Sequence, residues 1–264
     1  MALNDRFSAY NRQTAAYFAE NDATIASNIW LNRLIRLTLL VSFFFMIVPL
    51  TDIRVSSWFV DAAGNFPLHE NRTLLALRDL HRTLPAIIAP ALLLGVMIQA
   101  VFNRRWLPAP HKLLYILSVY AVGALLVVHG LKYLVGRARP SEIAEFGGSL
   151  VFSPAWQVSQ ACMKNCSFPS GEGASAMAML AIPLILGGIY RLPLMMLTGI
   201  AALIFSLNRI VMGAHFLSDV MLSWLFVAMV MAWLWPVFQR HAVTIDAYVA
   251  QSGKRIRRYF KHSL

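Results

Sequence analysis

Residues 113–140 read LLYILSVYAVGALLVVHGLKYLVGRARP. The 19 residues Leu113–Leu131 hold no Asp, Glu, Lys or Arg, and then Lys132, Arg137 and Arg139 arrive within eight positions. A helix of about 20 apolar residues spans the ~30 Å hydrocarbon core of a bilayer. The stretch therefore predicts a transmembrane helix that ends in a cluster of positive charge.

Five further apolar runs lie on either side of it. They are Leu31–Leu50, Leu84–Phe102, Gly173–Tyr190, Leu192–Leu207 and Val220–Phe238. Arg33 and Arg36 near the start of the first can snorkel to the headgroups. The two shorter runs alone would also fit a buried hairpin, but six runs in 264 residues argue for a membrane protein. The predicted fold is an all-α integral membrane protein with six transmembrane helices. Residues 1–30 read as a cytoplasmic or interfacial segment, 31–238 as the six-span domain and 239–264 as a basic cytoplasmic tail. The first 30 residues lack the apolar core and small-residue cleavage site of a signal peptide, so the first span is expected to be an uncleaved anchor. Within them Asp5–Glu20, with Phe7, Tyr10, Tyr17 and Phe18, reads as an interfacial or a solvated helix.

Composition agrees. The chain is 58% hydrophobic and 13% charged, where a soluble domain carries about 25% charged residues. The net charge of +11 would suggest nucleic acid in a polar chain. Here its distribution sets topology instead. With the N-terminus inside, the inner segments hold 14 basic and 4 acidic residues, and the remainder holds 9 and 8. The positive-inside rule then favours N-in and C-in at the inner membrane. The tail residues Lys254, Arg255, Arg257, Arg258 and Lys261, interleaved with Ile256, Tyr259 and Phe260, suit an anionic leaflet rather than nucleic acid.

This topology brings three polar clusters to the outer face. The first is Lys132 to Pro140. The second is Phe168-Pro169-Ser170-Gly171-Glu172-Gly173, opening the fourth span. The third is Asn208-Arg209 to His215 and Asp219, between the fifth and sixth. Pro-Ser-Gly leading into a helix offers backbone N–H groups and a hydroxyl to an anion. His215 and Asp219, four apart, fall on one face of a helix, where a carboxylate can fix an imidazole tautomer. Taken singly, each feature has a structural reading as a cap, a headgroup anchor or a core histidine, and His69, His81, His111, His129 and His241 are read that way. Together they describe phosphate recognition beside a nucleophile.

The clusters resemble the type-2 phosphatidic acid phosphatase superfamily, whose signature is Lys-x6-Arg-Pro, Pro-Ser-Gly-His and Ser-Arg-x5-His-x3-Asp. Lys132-x6-Arg139-Pro140 is complete. Pro169-Ser170-Gly171 is followed by Glu172 instead of His, and Asn208 replaces Ser before Arg209-x5-His215-x3-Asp219. The resemblance implies a membrane lipid phosphatase acting at the outer face without metal or cofactor. His215 would form a phosphohistidine and Asp219 would orient it. Lys132, Arg139, Arg209, Ser170 and Gly171 would bind phosphoryl oxygens. Arg137 reads as a further phosphate contact or as a headgroup anchor.

Glu172 stands where the family places its proton donor. One reading raises its pKa by burial, which favours mildly acidic pH, although nearby Arg and Lys oppose that shift. A second gives it a leaving group that needs little help, such as isoprenyl diphosphate or a sugar 1-phosphate. A third is an impaired site that only binds or moves lipid. Substrate candidates are isoprenyl diphosphate, lipid A phosphate, phosphatidylglycerol phosphate and phosphatidic acid. The rival activities are lipid phosphotransfer and non-catalytic binding or transport. The outer segment Thr51–Thr83, with Arg72, Arg78 and Arg82, offers room for a large headgroup. Cys162 and Cys166 read as a disulfide bracing the loop before Ser170, or as two free thiols. Nothing in the sequence sets an oligomeric state.

Overall fold

The computed structural model describes residues 2–104 and 106–262, with side chains for 25–104 and 106–259. The side chains of Asp5–Glu20, and so the interfacial reading of that stretch, lie outside those described. The described residues are almost wholly helical and form no strand, only an isolated bridge between Ile143 and Leu150.

Among the described residues, five helices are long and apolar enough to cross a membrane. The first is the Ile25–Ile47 part of α1 (Ala2–Ile47). The second is α3 (Arg72–Phe102), capped by Asn71, whose side chain accepts from the Thr73 and Leu74 amides. The third runs from α4 (Pro110–Ser118) through a π-helical stretch (Val119–Val127) into α5 (Val128–Val135). The others are α8 (Arg191–Val211) and α9 (Leu217–Arg240).

The expected fourth span is not one helix. It is α6 (Gly171–Ala178) followed by α7 (Ala181–Leu184). Pro183 has no N–H to give the Met179 carbonyl, and its ring crowds that position. Ile182 takes the carbonyl instead, and tight i→i+3 bonds from Met179 and Leu180 break the helix there. A second difference lies in Thr51–Thr83. It is largely helical, divided between α2 (Leu50–Ser57) and the first turns of α3.

The core forms around α6. Ala174 and Ala178 face Tyr115, Val119 and Val128 of the third span and Val227 and Val230 of α9. Ala176 faces Ala202 and Phe205 of α8. Small residues of this kind let membrane helices approach closely. Tyr115 donates to the Met231 carbonyl at 3.2 Å and Trp224 to Ser206 at 3.0 Å, so the contacts between helices are also polar. Helix α10 (Ala242–His262) turns back onto α3 and α4 at the far end. There Asp246 accepts from the His111 amide and faces its ring at 2.9 Å, while Lys254, Arg255, Arg257 and Arg258 stay exposed.

The long connection between α5 and α6 folds over the opposite end. It starts at Gly136, whose φ of +61° ends α5 and which has no room for a side chain because the Ser159 carbonyl lies against it. Bonds from Ser159 to Val135, Cys162 to Gly136 and Ser167 to Arg137 tie the returning strand of loop to the outgoing one.

Candidate active site

The ends of α5, α6, α8 and α9 meet under this loop. His215 lies in the turn between α8 and α9, which Gly213 allows by adopting φ +66° with its Cα against the Phe66 ring. His69 donates from Nδ1 to the Met212 carbonyl, 2.8 Å away, and holds the same turn. The His215 ring is 1% exposed. Its Nδ1 sits 2.8 Å from the Ser167 carbonyl, which can only accept, so Nδ1 carries a proton and Nε2 is the nitrogen turned to the site.

Asp219 faces His215 at ion-pair rather than hydrogen-bond distance. Its carboxylate stands 3.7 Å from Nδ1, because its oxygens are committed elsewhere. Oδ1 accepts from Arg137 at 2.6 Å, and Oδ2 from the Ser167 hydroxyl and the Phe216 amide. Ser167 thus bonds the ring with its carbonyl and the carboxylate with its hydroxyl.

Arg137 is neither a phosphate contact nor a headgroup anchor. Its side chain is fully buried and lies over the Phe216 ring at 4.2 Å. It donates to the Ser153 carbonyl, the Ser218 hydroxyl, Asp219 and Asp52. Asp52, on α2, in turn accepts from the Ser218 amide and hydroxyl. Asp52 and Ser167 had no signal in the sequence beyond a lone acid after the first span and a serine near a motif.

The other side of His215 is open. Nε2 lies 3.2 Å from Glu172 Oε2. The second oxygen, Oε1, is 2.6 Å from Arg82 Nη2 and 3.6 Å from Arg209 Nε. Arg82 was readable only as one of several outer arginines; the first turns of α3 bring it here. Burial pushes the Glu172 carboxyl up, but His215, Arg209 and Arg82 outweigh it and hold the group well below the ordinary carboxylate range. The expectation of a raised Glu172 pKa is therefore corrected: three basic partners converge on the one carboxylate.

Arg209 is 4% exposed, yet its Nε has no hydrogen-bond acceptor among the described residues. Buried donors are normally paired, so this guanidinium is available to an anion. Lys132, on the buried face of α5 with Val128 and Val135, donates to the Cys166 carbonyl and runs beside Gly171. Arg139 uses one donor on the Asn165 carbonyl at 2.9 Å. Ser170 caps α6 by accepting from the Gly173 amide, and its own amide bonds to the Asp219 carbonyl. The leading N–H groups of α6 have no acceptor within the helix. Cys162 and Cys166 are joined in a disulfide immediately before Ser167. Asn208, in place of the family Ser, donates to the Leu74 carbonyl of α3. No group of three His, Cys, Asp or Glu residues suited to a metal occurs among the described residues.

The arrangement suits phosphoryl transfer. A fixed imidazole faces a pocket of cationic donors, as charge spread over three equatorial oxygens requires. The model for the PAP2 superfamily matches residues 112–242. A lipid A 4′-phosphatase of Rhizobium etli is 32% identical over 66% of this chain and 69% of its own. One from Francisella tularensis subsp. novicida is 30% identical over 70% of this chain and 84% of its own. Among solved structures, a transmembrane PAP2-type phosphatidylglycerolphosphate phosphatase from Bacillus subtilis superposes with a TM-score of 0.53. That likeness covers 78% of this chain and 93% of the other at 17% identity, so it speaks for the fold. Motifs, fold and relatives agree: this chain belongs to the PAP2 superfamily and is a membrane lipid phosphatase.

Proposed function

We propose that the protein removes the 4′-phosphate of lipid A at the outer membrane face through a phosphohistidine on His215. The relatives' activity supports the substrate. The contact between His215 Nε2 and Glu172, which opposes a nucleophile to a carboxylate held among arginines, carries the mechanism.

A carboxylate at 3.2 Å from Nε2 means that one proton lies between the two groups. When the substrate phosphate enters, that proton passes to Glu172 and the Nε2 lone pair is freed. Nε2 then attacks phosphorus while the bond to the sugar oxygen breaks, and Glu172 protonates that oxygen. The sugar oxygen that bears a 4′-phosphate leaves as a simple alkoxide unless it is protonated, so this substrate needs the donor that a diphosphate does not. Arg209, Arg139, Lys132, the Ser170 hydroxyl and the α6 amides hold the phosphoryl oxygens. In the second half Glu172 takes a proton from water, the water oxygen attacks phosphorus, and His215 departs as inorganic phosphate forms. The basic groups neutralise charge without a metal.

Six crossings fit this site. Glu172 and Arg209 are neighbours, and α8 carries the chain about 30 Å over its 21 residues. Residues 173–190 must therefore cover the same depth, helix break included. The exposed basic face of α10 then lies at the opposite end, against anionic lipid.

The test is phosphate release from lipid A by the purified protein with chelator present. Release by wild type, none by His215→Ala, and an acid-labile phosphoenzyme are expected. No release overturns the substrate, and loss on chelation overturns the metal-free chemistry. In proteoliposomes, activity on externally added lipid is expected from molecules whose tail is protected from external protease, with a gain when the lumenal leaflet holds anionic lipid.

A further inference from the structure

The geometry assigns Asp52, on α2 and outside the residues matched by the family model, the role of a positioning residue that acts on His215 through Arg137 and Asp219. It rests on the reading of His215 as the nucleophile.

The argument starts from what Arg137 is able to do. A guanidinium beside a carboxylate prefers two parallel bonds. Here Nη1 alone reaches Asp219, at 2.6 Å, and Nη2 is taken by Asp52 at 2.8 Å. Asp52 also fixes the Ser218 amide and hydroxyl at the start of α9, and Ser218 accepts from the same Nη1. Both carboxylates and the guanidinium are fully buried, so no water competes for these bonds. Because Asp52 holds one arm of the fork, Arg137 meets Asp219 side-on. Asp219 Oδ2 is left to Ser167 and to face His215 Nδ1. Burial pushes the Asp52 carboxyl above its ordinary range against the pull of Arg137, so the two carboxylates share the one guanidinium as a closely linked group behind His215.

The other charged groups around His215 are Glu172 from α6, Arg209 from α8, Lys132 from α5 and Arg139 from the loop after it, with Arg82 of α3 behind Glu172. None of them bonds to Asp52, so removing its charge changes the Asp219 side alone. Without Asp52, Arg137 is free to turn both arms on Asp219. Less negative charge then faces His215, and the imidazole gives up its shared proton at lower pH.

The experiment uses full-length protein in detergent, comparing Asp52→Asn with wild type. The 15N signals of His215, assigned through His215→Ala, report its titration with no substrate present. The midpoint is expected to fall by about one unit, a tenfold change in proton affinity. On lipid A, kcat is expected to fall at least tenfold with KM within threefold, phosphoenzyme formation slowing in step. The alkaline limb of kcat/KM should move to lower pH. An unmoved midpoint overturns the assignment, even if kcat falls with the folded fraction. Silence of wild type towards lipid A overturns only the substrate, because the titration is read independently. Should Asp52→Asn fail to fold, Ser218→Ala weakens the same linkage and is expected to shift the midpoint in the same direction. No shift there overturns the assignment as well.

Discussion

His215 has two unlike sides. Behind it, Asp219, Arg137 and Asp52 form a network with no exposed side chain, and every nitrogen of Arg137 has a partner. In front, Glu172 is 16% exposed, Arg82 is 47% exposed, and Arg209 keeps a buried Nε with no hydrogen-bond acceptor among the described residues. Both sides combine arginine with carboxylate, yet only the front leaves donors over. A closed ion network fixes geometry because exchange with water is excluded. A network with surplus donors receives a ligand. The same residue types serve opposite ends, and satisfaction of their hydrogen bonds, rather than their charge, tells them apart.

Breaking the rear should have the largest effect on folding. Arg137→Met leaves Asp52 and Asp219 buried without a counter-charge, and removing one partner of a buried pair costs about 3–5 kcal/mol. Thermal unfolding in detergent should show that loss, and a transition unchanged from wild type would mean that the rear is not a structural network.

At the front the penalty should move from stability to rate. Glu172→Gln removes the proton carrier, and kcat should fall by roughly 10²–10⁴, the usual range for general acid–base catalysis. Lipid binding should persist. Activity equal to wild type between pH 5 and 8 would remove Glu172 from the chemistry.

Arg82→Gln should be the mildest change. An exposed pair contributes about 0–1 kcal/mol, so stability should hardly move. Its effect should appear in the pH profile. Arg82 helps hold the Glu172 carboxyl below its ordinary range, so without it that group titrates higher. A second proton on the His215–Glu172 pair blocks transfer from Nε2. The acidic limb of kcat/KM should therefore move to higher pH in the variant. The sign for stability is parallel. The ionised Glu172 stabilises the fold above its ordinary pKa, and this contribution disappears as pH falls through the depressed value. An unmoved acidic limb would show that Arg82 does not tune Glu172.

Much of this was legible in the chain. Apolar length identified five long helices, and the motif residues meet because each lies at the end of a span on one side. The broken fourth segment had the right hydropathy, but a missing N–H at Pro183 is a local fact that average hydropathy does not register. The surroundings of His215 were less legible. Asp52 reaches Arg137 across 85 residues, and Arg82 reaches Glu172 across 90, with no spacing pattern to mark either. Arg137 read as a phosphate contact or a headgroup anchor because it lies between Lys132 and Arg139 just past the end of a span; only the folded loop from Gly136 to Ser170 encloses it. The basic partners gathered by the fold reversed the reading of Glu172 for a related reason. Desolvation was foreseeable from the adjoining apolar helix, whereas the arginine from α3 depended on the fold.

The lodged position of Glu172 has one more effect, on release. Its carboxylate stands 3.6 Å from Arg209, which the proposed mechanism gives to the phosphate, so an incoming anion meets a competing group supplied by the chain. A lipid brings the energy of its acyl chains to that contest. Free inorganic phosphate, the product, brings none, and the returning carboxylate expels it. Weak inhibition by inorganic phosphate is therefore expected when lipid dephosphorylation is assayed with added phosphate.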